Sequence, residues 1–205
     1  MMKLKYLALS VVTMLLPTSA LAHIGDHAGI HHGSAFITGL AHPFTGLDHI
    51  GAMLAVGIWS MLAFHQPQRG VWVVPIAFAG LLLIGGLLEF AGVGLYIVDR
   101  LIVEPMIAAS LLVFGLLVAL RVRLPLVVGA LVVATFAVFH GIAHGGELPA
   151  SRAAAALSGM VLGSMILHIS GMLIARFVLQ RNVWLPRIVG GVVTMLGAGL
   201  LSATI

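Results

Sequence analysis

Six side chains able to bind a transition metal occur in two short clusters, each at one end of a long apolar run. The first cluster reads His42-Pro43-Phe44-Thr45-Gly46-Leu47-Asp48-His49 and opens the run that continues through Ile50 to Phe64. The second, Phe139-His140-Gly141-Ile142-Ala143-His144-Gly145-Gly146-Glu147, closes another. In a helix His140 and His144 lie one turn apart on the same face, so both imidazoles can reach one ion. Gly145-Gly146 would end that helix and let Glu147 fold back toward them. Imidazole with carboxylate suits borderline ions such as nickel, cobalt or zinc better than magnesium or calcium. The chain has no cysteine, which excludes disulfides, thiolate metal sites and thiol catalysis.

Each residue also has a simpler reading. Thr45 and Asp48 have the spacing of an N-cap pair for the helix that follows. A single histidine in an apolar segment is more often a hydrogen-bonded core residue than a ligand. What favours ligands here is the grouping, because ionisable groups within transmembrane segments are rare and usually functional. Four further groups carry a weaker signal. Met53 lies one turn beyond His49 and offers a soft thioether. Glu89, at the end of its apolar run, either snorkels to the headgroups or joins the site. His168 lies too deep to snorkel and needs a partner inside the bundle, which makes it the candidate for a second station on a path. The fourth is the stretch His23-Ile24-Gly25-Asp26-His27-Ala28-Gly29-Ile30-His31-His32-Gly33, whose composition binds divalent metal loosely.

Composition defines the elements that must position these groups. Hydrophobic residues make up 61% of the chain and charged residues 8%, against about 25% charged in a soluble domain. The expected fold class is therefore all-α, a polytopic membrane helix bundle, with the lipid bilayer as its surroundings. Its 205 residues leave room for about six spans of about 20 residues each. A formal net charge of +4 raises the question of nucleic acid, but there is no basic run and the arginines fall at the ends of apolar segments.

Lys3 and Lys5, an apolar stretch too short to span, and Ala20-Leu21-Ala22 make residues 1–22 a cleavable secretory signal peptide. Residues 23–33 would then be a His-rich N-terminal segment outside the plasma membrane, which for a bacterium is the periplasm. Residues 34–205 would be the transmembrane domain. Within it, residues 34–40 form an interfacial or re-entrant piece leading to a break at 43–46, where non-helical backbone is tolerated only if buried or lining a cavity. The spans are expected at 47–64, 71–90, 105–120, 124–144, 153–175 and 184–203, the third with the least defined start. Arg69, Arg121, Arg123, Arg176, Arg181 and Arg187 then fall inside, and only Arg100 and Arg152 outside, as the positive-inside rule requires. The same topology puts both clusters and Glu89 toward the outer face, so the imidazole of His49 should meet that of His140 or His144. Trp59, Trp72 and Trp184 read as interfacial anchors. Gly159-x-x-x-Gly163 and the glycines at 85, 86, 190, 191, 197 and 199 read as helix-packing positions.

The two clusters resemble the two motifs of the HupE/UreJ family of nickel and cobalt permeases. His42, Asp48 and His49 match the first, and Phe139, His140, Gly141, Ala143, His144, Gly145 and Glu147 the second, in the family's order and after a signal peptide. The resemblance covers essentially the whole mature chain. It implies a secondary, ATP-independent permease of the inner membrane importing Ni2+ or Co2+ for maturation of a metalloenzyme or for cobalamin. It also implies that His42, Asp48, His49, His140, His144 and Glu147 handle the metal as transported substrate, with no prosthetic group. Two other readings stay open. An intramembrane metal-dependent hydrolase could use the same ligands, although His140-Gly141-Ile142-Ala143-His144 lacks the glutamate of an H-E-x-x-H helix. The chain could also be a metal-sensing accessory protein. Association into homo-oligomers is compatible with all three. No phosphate-binding Walker A motif is present to draw energy from ATP.

Overall fold

Backbone amides and carbonyls in hydrocarbon have no water partner, so apolar runs of span length must close their hydrogen bonds internally as helices. The computed structural model describes residues 32–64, 69–94 and 100–204, and these are all-α. Helix α1 (His32–Ala41) and a 3-10 turn (His42–Phe44) lead into α2 (Leu47–Ala63). They are followed by α3 (Arg69–Phe90), α4 (Arg100–Ala119), α5 (Leu126–Gly145), α6 (Ala153–Phe177) and α7 (Trp184–Thr204). Helices α3 to α7 are long and apolar enough to cross a membrane. The pair α1 and α2 qualifies only together, bent by 77° at the break, so the described residues provide five or six spans. The expected signal peptide and His23, His27 and His31 lie outside the described residues, and His32 opens α1.

Helix boundaries fall within two residues of the sequence reading, except that α4 begins at Arg100 rather than at residue 105. Pro105 is tolerated inside the helix because the amide it lacks would only have reached back to Leu101, in the first turn. Helix α2 is the central element, packed against α3, α4, α6 and α7. Around it the most extensive contacts pair α3 with α5, α4 with α7, and α6 with both α1 and α2.

Glycines make these contacts close. A Cβ on Gly57 of α2 would strike the carbonyl of His168 on α6, and one on Gly171 of α6 would strike that of Leu54 on α2. Gly85 and Gly141 hold α3 against α5 in the same reciprocal way. Gly159 and Gly163 pack against α1, at the carbonyls of Phe36 and Leu40. Gly191 and Gly199 differ: among the described residues nothing lies within 4 Å of a Cβ at either. Trp59 also departs from expectation. It is fully buried, its indole N–H donating to the Val122 carbonyl at 2.8 Å, and the ring fits in the core because Gly129 lacks a side chain: a Cβ there would come 2.7 Å from it. Trp72 and Trp184 are exposed, as anchors are, and Arg187 stacks over Trp184 at 4.8 Å.

Candidate metal centre

The break between α1 and α2 creates the site. Pro43 is buried against Gly163 of α6, which turns the chain and directs His42 over the start of α2. The cap of α2 differs from the Thr45–Asp48 pair read in the sequence. Gly46, in extended conformation, occupies the N-cap position without a side-chain bond. Thr45 instead donates its hydroxyl to the His42 carbonyl at 2.7 Å, because its own backbone is still that of the preceding turn. Asp48 is thereby released from capping, and its carboxylate accepts from His49 Nδ1 at 3.0 Å. A Cβ on Gly46 would collide with the Asp48 carboxylate and come 2.9 Å from His49 Nδ1, so this pair depends on a glycine at position 46.

Helix α5 approaches from the other side with His140 and His144 one turn apart. The His49 and His144 rings lie 3.7 Å apart between centroids, His42 and His144 5.1 Å, and His49 and His140 5.6 Å. His42, His49 and His144 each present one nitrogen within 4.8 Å of the others. Glu147, past the end of α5, folds back so that one carboxylate oxygen lies 3.4 Å from both His144 Nδ1 and His42 Nε2.

The partners assign the ring hydrogens. A carboxylate only accepts, so His49 carries its hydrogen on Nδ1 toward Asp48, and His144 carries its own on Nδ1 toward Glu147. Ser110 of α4, which no sequence motif indicated, fixes the third. Its hydroxyl donates to the Ile107 carbonyl at 2.6 Å, so the 2.9 Å contact with His140 Nε2 has the imidazole as donor. The lone pairs left over are on His49 Nε2, His144 Nε2 and His140 Nδ1, and all three atoms are buried without a hydrogen-bond partner among the described residues. His42 Nε2 is likewise buried and unbonded, since its approach to Glu147 has the distance of a charge pair without hydrogen-bond geometry. An unsatisfied buried polar group costs about 1–3 kcal/mol. The orphaned nitrogens of His42, His49 and His144 lie close together with that of His140 on the neighbouring turn, and three of the four rings are oriented from behind, a donor set suited to a divalent transition metal.

The remaining candidates fall outside this group. Met53 is fully buried, and its backbone carbonyl accepts a hydrogen bond from His168 Nδ1 at 2.8 Å. His168 itself is fully buried on α6. Glu89, at the end of α3, is partly buried beside the Gly145-Gly146 turn, where a Cβ on Gly146 would lie 3.4 Å from its carboxylate. Ser110 had one legible signal, a hydroxyl in the middle of an apolar span.

Residues 11–200 match the family model described as HupE / UreJ protein. The chain is 40% identical over 203 residues to Protein HupE of Rhizobium leguminosarum bv. viciae, an alignment covering 98% of this chain and 99% of that one. No solved structure matches. The chain belongs to the HupE / UreJ family.

Proposed function

We propose, starting from that membership, that the protein moves a divalent transition metal ion, Ni2+ or Co2+, into the cell across the inner membrane without ATP. The observation that carries this reading is the set of four buried, unpartnered nitrogens: His42 Nε2, His49 Nε2, His144 Nε2 and His140 Nδ1. A hydrated ion arriving at the outer mouth exchanges water for these nitrogens, and Asp48 and Glu147 offset its charge. The carboxylates act mainly on the rings: they fix which nitrogen faces the ion and raise its basicity. For hydrolysis a carboxylate would have to be free to take a proton from metal-bound water. Glu147 instead lies 3.4 Å from both His42 and His144, which favours transport over the hydrolase reading. The mature N-terminus is periplasmic in this account, and the histidines at 23, 27, 31 and 32 concentrate ions without taking part in translocation.

Uptake of radiolabelled nickel and cobalt into proteoliposomes containing the purified protein tests the proposal. Saturable accumulation of either ion without ATP is the expected result. Accumulation equal to that of protein-free vesicles would refute it.

A further inference from the structure

Beyond the outer cluster lies one more imidazole whose burial the cluster does not explain. His168 of α6 is fully buried, its Nδ1 donates to the Met53 carbonyl, and its Nε2 is buried without a hydrogen-bond partner among the described residues. The Phe78 ring, also fully buried, borders it on one side at 5.0 Å between centroids and borders His140 of the cluster at 5.7 Å. A single aromatic ring thus borders both His168 and His140 of the cluster.

Helix α6 continues the line toward the opposite end of the bundle. Ser164, one turn before His168, is fully buried. Its hydroxyl donates to the Met160 carbonyl at 2.8 Å, which leaves the oxygen able to accept or to ligate. Met172, one turn after His168 on the same face, is buried at 4% exposure and lines a cavity of about 800 Å3. That cavity lies where α2 ends and α3 begins, among Leu62, Trp72, Arg121, Arg123 and Arg176, at the end of the bundle away from the histidine cluster.

We infer that His168 is an inner station for the divalent ion, set between the outer cluster and this cavity, with Phe78 as the apolar partition the ion must pass. Its Nε2 replaces one water of the ion, Ser164 Oγ and the Met172 thioether stand one turn to either side, and the Met53 carbonyl holds the ring in the correct tautomer. A site with one imidazole and weaker neighbours holds an ion less firmly than four imidazoles do, as a station that must release its ion requires. The inference rests on the transport reading above.

The test separates the ligand from the hydrogen bond to Met53. In His168→Asn the side-chain amide can still donate to the Met53 carbonyl from the Nδ1 position but has no group at Nε2. In His168→Gln the amide reaches the Nε2 position and gives up the bond to Met53. Nickel and cobalt uptake into proteoliposomes and equilibrium binding of the same ions to the purified full chain are measured for each. We expect uptake by His168→Asn to fall on the order of tenfold with binding at the outer cluster unchanged, and His168→Gln to transport faster than His168→Asn. Wild-type uptake in His168→Asn with loss in His168→Gln would overturn the inference in favour of a purely structural histidine. Loss of equilibrium binding together with uptake in His168→Asn would overturn it as well. Absence of uptake by the wild-type protein would instead remove the transport proposal itself, and this station with it.

Discussion

The two ends of the bundle carry opposite chemistry and treat it in opposite ways. At the histidine end, His49, His140 and His144 are between 0% and 6% exposed, and each keeps a nitrogen without a partner. At the arginine end, Arg121, Arg123, Arg176, Arg181 and Arg187 are all exposed. A guanidinium that reaches headgroups and water costs little and marks orientation. A buried imidazole with a free lone pair remains a cost until something binds it. Polarity at the two ends of one bundle is therefore handled differently: the histidine end keeps buried nitrogens unsatisfied, as the proposed ion site requires, and the arginine end does not.

That contrast is most easily broken at His49, whose ring lies within 5.6 Å of the rings of His42, His140 and His144. His49→Ala is expected to weaken equilibrium binding of Ni2+ by roughly 100-fold, measured by equilibrium dialysis of the purified protein. Acid comes next. A proton and a metal compete for the same nitrogen, so affinity is present at high pH and lost as pH falls through the range in which these histidines take up protons. From pH 7.5 down to 4.5 the apparent affinity should fall, approaching about tenfold per pH unit for each histidine that must shed its proton. In uptake assays the membrane potential and inside pH must be clamped, because proton coupling would act in the opposite sense. An affinity unchanged over that interval would place the ion on other ligands.

Ser110→Ala sharpens the comparison by altering the support of a ring and leaving every proposed ligand in place. With its Nε2 acceptor gone, His140 can turn or change tautomer, and affinity should fall roughly tenfold or less. The smallest effect belongs to the opposite end. Arg121→Gln and Arg176→Gln should leave Ni2+ binding within about twofold of wild type, and a loss comparable to that of His49→Ala would erase the distinction between the two ends.

The helices were legible because span length and apolar composition leave a membrane chain no alternative, and Pro43 with Gly46 announced the break before α2. The cap was not legible. Thr45 has the side chain of an N-cap, but its backbone closes the preceding turn, and which residue is extended depends on how α1 docks on Gly163. The pairing of the two motifs could be argued from topology. Ser110 and Phe78 could not, since each reaches the histidines from a different helix, and such a contact leaves no periodic trace in the chain. Trp59 followed the statistics of its type until Gly129 opened a place for it in the core.

The most direct measurement is X-ray absorption at the nickel edge of the purified protein loaded with one equivalent of Ni2+, taken on the full chain and on a chain lacking residues 24–33. Nitrogen and oxygen ligands at about 2.0–2.1 Å and the scattering signature of several imidazoles are expected in both samples, with the imidazole signal reduced in His49→Ala. A spectrum showing only water-like oxygen ligands, or an imidazole signal that disappears with residues 24–33, would contradict the proposed histidine site.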